Sequence, residues 1–254
     1  MSAPRIPLEI IAEIMSHADP KVLATFIQTC STLFQTASIG LYRSDYHFKL
    51  TAHQMWTRMK TLRNPTRSKS LYASRVHQLS IVIPQFVPPN DIAEVMLDLF
   101  PRLTNVKELE IRSPPIAPHK AVIEIMIARE GNAKIFGIPR PDQTLAMPAL
   151  KVLILKSDYR WIHLGLGRST KKLVIERPLT ALQWDHLLNY LDGIWTGIGV
   201  NPWLAVTDLT ITINWFVWNA PKWLGKLGNN LVNITQLTIF QKWCPIPIQP
   251  CFHV

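Results

Sequence analysis

Six times between residues 76 and 239 the chain returns to one short pattern, aliphatic-x-x-Leu-x-Ile. The copies are Val76-His-Gln-Leu79-Ser-Ile81, Val106-Lys-Glu-Leu109-Glu-Ile111 and Leu150-Lys-Val-Leu153-Ile-Leu155, then a weaker Thr170-Lys-Lys-Leu173-Val-Ile175. Val206-Thr-Asp-Leu209-Thr-Ile211 and Ile234-Thr-Gln-Leu237-Thr-Ile239 complete the set. Residues two apart share one side of an extended strand, so each Leu-x-Ile pair makes one apolar face, with a turn residue tucked in before it. One such strand cannot bury its face alone, and repeated units of one direction stack into a parallel sheet. Parallel neighbours need crossovers.

The intervening segments supply helical stripes for that purpose. Residues 91–100 carry Ile92, Val95, Met96 and Leu99, with Asn90 as the expected cap and Pro101 as the stop. Residues 121–129 repeat the stripe with Val122, Ile125 and Met126, and residues 180–191 with Leu182, Leu187, Leu188 and Leu191. The key leucines lie 30, 44, 20, 36 and 28 residues apart, so the connections differ in length.

Residues 6–42 read differently, as three short helices with two start signals. Pro7 suits a first helical turn, where the N–H it lacks would be unpaired anyway. Ile10, Ile11, Ile14, Met15 and Ala18 form a broad apolar stripe. Asp19-Pro20 restarts the chain into a second helix with Val22, Leu23, Phe26 and Ile27 on its buried face. Ser31 is the expected cap of a third, carrying Leu33, Phe34 and Ala37.

This order closely resembles an F-box, the module that docks substrate receptors onto the Skp adaptor of cullin–RING ubiquitin ligases. Ile6-Pro7 stands for the family's Leu-Pro, Glu9-Ile10-Ile11 and Glu13-Ile14-Met15 for its two acid-aliphatic triplets, and Pro20-Lys21 with Leu23 for its second helix. Cys30 matches its cysteine and Leu41-Tyr42 its closing pair; Ala18, Thr29 and Leu33 depart from its usual Leu, Val and Trp. The resemblance implies an adaptor-binding set of Ile6, Pro7, Leu8, Glu9, Ile10, Ile11, Ile14, Leu23, Cys30, Leu33 and Phe34. It also implies that apolar members of this set are left partly uncovered by the chain itself.

The repeats, over residues 72–240, resemble the irregular leucine-rich repeats that follow F-boxes in many fungal proteins. That resemblance implies a solenoid with a parallel sheet; a generic α/β domain with several parallel strands is the alternative reading. The Asn that normally follows each strand remains only at Asn214, with Pro84, Pro114 and Pro178 at the equivalent places elsewhere. The expected fold class is therefore α+β overall: an F-box at 1–45, a basic helical bridge at 46–70, and a repeat domain at 71–254. A solenoid needs a closed end, and the twelve residues after Lys242, with Pro245, Pro247 and Pro250, offer a poor cap.

Hydrophobic content of 48% with 17% charged residues describes a globular chain. No apolar run reaches the length of a membrane span, and no secretion signal opens the chain, which points to cytoplasm or nucleus and to reduced thiols at Cys30, Cys244 and Cys251. The net charge of +10 is uneven: Arg43 to Arg75 holds eight cations against Asp45 alone, and no acid follows Asp208. Such a field can attract nucleic acid, but no nucleic-acid motif accompanies it, and a solvated linker face is the simpler reading.

Catalytic signatures are missing. Gly165-Leu-Gly167-Arg-Ser has Ile162 and Arg168 where a phosphate loop needs Gly and Lys, so it reads as a loop before the Leu173 strand. The eight histidines lack paired metal spacing, and no nucleophile elbow or cysteine signature occurs. No metal or cofactor is implied. Eight of nine tryptophans follow residue 160; most should be core, but Trp215-Phe-Val-Trp218 puts bulk on both faces of an extended segment after Asn214. Asn214, Trp215 and Trp218 are therefore the candidate substrate contacts. Together these readings imply a non-catalytic receptor that binds a Skp-type adaptor, through it a cullin, and a protein target. A scaffold that directs no ubiquitination, or a basic repeat protein that binds nucleic acid, are the alternatives.

Overall fold

A computed structural model describes residues 6–29, 31–43, 50–64, 72–112, 118–129, 133–136, 144–165, 167–191, 203–214, 225, 227–229 and 231–242. The architecture is mixed: helices at the N-terminal end, then one parallel sheet with helical crossovers.

Three helices come first: α1 (Leu8–Ser16), α2 (Pro20–Thr29) and α3 (Ser31–Arg43). Pro7 sits just outside α1 with extended backbone, one residue earlier than expected. Asp19 caps α2, its Oδ1 accepting from the Lys21 N–H at 2.7 Å. Ser31 is the first residue of α3, and its side chain lies outside the described ones. The helices share a small apolar core of Met15, Leu23 and Ala37, packed by Ile11, Phe26, Ile27, Leu33 and Leu41. Gly40 makes that packing possible, because a Cβ there would meet the Leu23 side chain and the Met15 carbonyl, each at 3.3 Å.

Helix α4 (Ala52–Arg63) joins this bundle to the sheet. Thr51 and Gln54 close a reciprocal capping box at its start. The helix buries Met55, Trp56, Met59 and Leu62 and leaves His53 exposed. Its cations are engaged within the chain. Arg58 lies over the Tyr42 ring and donates to the Leu41 carbonyl at 3.4 Å; Lys60 lies over Trp56; Arg63 reaches Glu94 at 2.5 Å and Asp98 at 2.7 Å. Tyr42 stacks on Tyr72, and Arg75 donates to Ser38, so α3 is tied to the chain leading into the first strand. Arg67 and Lys69 lie outside the described residues.

All six copies of the sequence pattern are strands of one sheet: β1 (Gln78–Val82), β2 (Glu108–Arg112), β5 (Val152–Lys156), β6 (Lys172–Leu179), β7 (Asp208–Asn214) and β8 (Gln236–Lys242). A separate two-stranded parallel ladder, β3 (Ala133–Lys134) with β4 (Thr144–Leu145), interrupts the series. In the main sheet each strand pairs in parallel with the next, and the leucines stand in one row: Leu79, Leu109, Leu153, Leu173, Leu209 and Leu237. The last residue of each motif forms a second row, from Ile81 to Ile239. The leading residues are also internal. Val76, Val106, Leu150 and Val206 are buried, and Thr170 of the weak copy is fully buried in the same role.

Helices α5 (Pro89–Leu99), α6 (His119–Ala128) and α7 (Ala181–Leu191), with a 3-10 turn at Tyr159–Gly165, form the crossovers. They share one apolar core with the leucine face of the sheet. Two sequence expectations need correction. The residue flanking α5 is Pro88, with Pro89 in the first turn, so Asn90 is inside the helix and instead accepts from Arg129 at 3.3 Å. In α7 the buried face is Trp184, Leu187 and Leu188, while Leu182 is exposed. Strand β8 is the sheet edge, and its inner face is thinly covered: Leu237 is 40% exposed, whereas the equivalent leucines are at most 3% exposed. Residues 243–254 lie outside the described ones.

Candidate functional site

The first candidate is the outer side of α1. Ile6, Leu8, Ile10 and Ile14 are 52–59% exposed, and Val22 of α2 is exposed as well. Local sequence explains this: Met15 and Ile11 already fill the stripe that meets α2 and α3, and Ile10 and Ile14 lie one turn apart on another face. Pro7 and Glu9 are exposed beside them. The other assigned residues divide. Leu23 is inside the helical core, Ile11 and Leu33 are partly buried against it, and Cys30 and the side chain of Phe34 lie outside the described residues. So α1 and the two residues before it present four exposed large aliphatic side chains and a proline. Clustered exposed aliphatic side chains of this kind are a candidate contact surface.

The second candidate is the sheet face opposite the leucines. Here Ser80, Glu110, Ile154, Val174, Thr210 and Thr238 stand in register. Glu110 is buried, bridged by Arg112 and by Lys156 at 3.5 Å, with Ser80 donating to it at 3.4 Å; Lys156 also reaches Glu176 at 3.3 Å. Asn214 closes β7, but its side chain, Trp215 and Trp218 lie outside the described residues. The later tryptophans that are described, Trp161, Trp184 and Trp203, are all core.

A third feature was not visible in the sequence. An open cleft of about 440 Å³ is lined by the start of α6, by Asp158 and Arg160 just after β5, by Arg177 of β6 and by Gln183 of α7. His119 forms its floor. The Trp161 Nε1–H donates to His119 Nδ1 at 2.7 Å, and the ring meets the indole edge-on. Burial pushes His119 down to about 4; Asp158 opposes this, and Arg177 and Arg160 add to it. The ring is therefore neutral at pH 7, as an acceptor at Nδ1 requires. His163 is likewise pushed down to about 4 by burial, with Phe136 edge-on to it.

The glycine loop before β6 is not a phosphate site. Gly167 takes a left-handed conformation (φ 64°), and Arg168 turns inward to 4% exposure. Its guanidinium donates to the carbonyls of Ala146 at 2.7 and 2.9 Å, of Ile135 at 2.8 Å, and of Leu164. It thereby ties the β3–β4 ladder and the 3-10 turn to the main sheet. Among the described residues no group of three or more His, Cys, Asp or Glu can hold a metal, and no helix is long and apolar enough to cross a membrane. In sequence the chain matches no family model and no curated protein.

Proposed function

We propose that the chain is a substrate receptor of a cullin–RING ubiquitin ligase, holding a Skp-type adaptor through α1–α3 and a protein target through the repeat sheet, read as a leucine-rich-repeat solenoid. One observation carries the reading. Of the apolar residues that the F-box resemblance assigns to the adaptor, Ile6, Leu8, Ile10 and Ile14 are exposed on and just before α1, while Leu23 is in the helical core and Ile11 and Leu33 are partly buried against it. Burying large aliphatic side chains that are already half covered is worth on the order of 1 kcal/mol each, so four of them and their surroundings suit a stable interface.

The chain's part in ubiquitin transfer would be proximity. Bound target lysines gain effective concentration near the loaded enzyme, while the bond-making groups belong to other subunits. The nucleic-acid reading is weakened by α4, whose Arg58, Lys60 and Arg63 are engaged with the chain's own rings, carbonyls and carboxylates. The test is affinity purification of the chain with and without residues 1–45. Recovery of the adaptor and a cullin only with the full chain supports the proposal. Equal recovery from both forms sinks it, and a recovered adaptor without any cullin favours the scaffold reading.

A further inference from the structure

We infer that the cleft between α6 and Arg177 is a binding site for an oxyanion, a phosphate or carboxylate group. The case rests on its inventory of donors and acceptors. Its two carboxylates are already engaged. Asp158 accepts from the Arg160 backbone N–H at 2.9 Å and from Arg160 Nη1 at 3.0 Å, and Glu124 pairs with Lys120 at 3.8 Å. The Gln183 side chain is oriented by a reciprocal capping box at the start of α7. Its Oε1 accepts from the Thr180 N–H at 2.9 Å, which leaves the amide NH₂ as its free polar group.

What remains uncommitted in the cleft is donor capacity. Arg177 lines it, partly buried, with no hydrogen bond or ion pair among the described residues. Arg177 and Arg160 line the same cleft, together with His119. Arg160 uses Nη1 on Asp158 and lies over the Tyr159 ring, and the remaining N–H groups of its fork are not used in the Asp158 bond. Three cations against two paired acids leave one positive charge over, and the positive end of the α6 dipole adds to it. A ligand that only accepts hydrogen bonds and carries negative charge complements this lining; a cation or an apolar group does not. Arg matches the flat oxygens of phosphate and carboxylate better than Lys does, through its planar fork. The site is independent of the adaptor reading, because it shares no residue with α1.

The experiment follows the arginine Nε–H signals of the ¹⁵N-labelled full chain by NMR while sodium phosphate, sodium acetate or sodium chloride is added at matched ionic strength. Saturable shifts of Arg177 and Arg160 with phosphate or acetate, and not with chloride, are expected. The tighter of the two identifies the source as a phosphoryl or a carboxyl group. Arg177→Gln should weaken binding by about tenfold or more. Arg129→Gln, at the far end of α6, should leave it unchanged. Arg177→Lys, which keeps the charge and loses the fork, should fall between and serves if the Gln variant does not fold. Equal, unsaturable shifts with all three salts would overturn the inference. So would an Arg177 variant that binds like the wild type.

Discussion

Arg168 offers the sharpest test of how this fold is held. Its guanidinium is buried and donates to carbonyls from three separate segments, Ile135, Ala146 and Leu164. Replacement by Met keeps most of the stem and its packing but removes every donor. Each buried carbonyl left without a donor costs about 1–3 kcal/mol. Against this stands the desolvation of the guanidinium itself, which the substitution relieves and which amounts to several kcal/mol. With carbonyls of three segments losing their Arg168 donor, the expected net loss is about 3 kcal/mol. That is a large part of the 5–15 kcal/mol by which a domain is stable. Arg168→Lys, a point donor able to serve one or two carbonyls, should lose about half as much. Urea unfolding followed by tryptophan fluorescence reads the change, since Trp161 and Trp203 are fully buried in the same core. A Met variant within about 0.5 kcal/mol of the wild type would refute the reasoning, because such a shift is what surface substitutions give.

Other outcomes follow from the same structure. Thr170 is fully buried in an aliphatic position, and its hydroxyl has no hydrogen-bond partner among the described residues; Thr170→Val should stabilise the chain by about 1 kcal/mol in the same unfolding assay. Leu209→Ala should cost about 2–5 kcal/mol and Leu237→Ala under about 1 kcal/mol, because only the first leaves a true cavity; equal losses would mean that the edge is covered. His119 and His163 are both held neutral, with folded values of about 4 against an ordinary 6.5. In the window between those values the unfolded chain binds more protons than the folded one, so stability is full above about 6.5 and falls as pH drops toward 4. The loss is at most about 3 kcal/mol for each ring, and melting temperatures from pH 7.5 to pH 4.5 should show it, with the slope reduced in His119→Gln.

The sheet was legible because its signal is local and periodic. Five Leu-x-Ile pairs and one Leu-x-Leu predict six strands, and the structure sets their first leucines in one row, the weak Thr170 copy included. The register of the N-terminal helices was also readable, since Asp19-Pro20 acts within one turn. Capping at α5 misled the reading because two prolines precede Asn90, and a first-turn proline starts a helix as well as a capping side chain does. In α7 the choice of face depended on Trp184, whose ring outweighs Leu182 at the core. The cleft and the Arg168 tie were beyond reach. Trp161 and His119 are 42 residues apart, and Arg168 and Ile135 are 33 apart, with no local pattern linking either pair. Arg168 even occupied a loop whose glycines drew attention to phosphate instead.

The central claim is that α1 binds an adaptor through its exposed aliphatic side, and one measurement tests it directly. The full chain and a variant with Pro7→Asp, Ile10→Asp and Ile14→Asp are each mixed with a purified Skp-type adaptor and resolved by size-exclusion chromatography. Circular dichroism of both forms verifies that the sheet remains. The wild type should co-elute with the adaptor, and the variant, its sheet intact, should elute alone. Co-elution of the folded variant with the adaptor, or a wild type that never joins it, would contradict the claim.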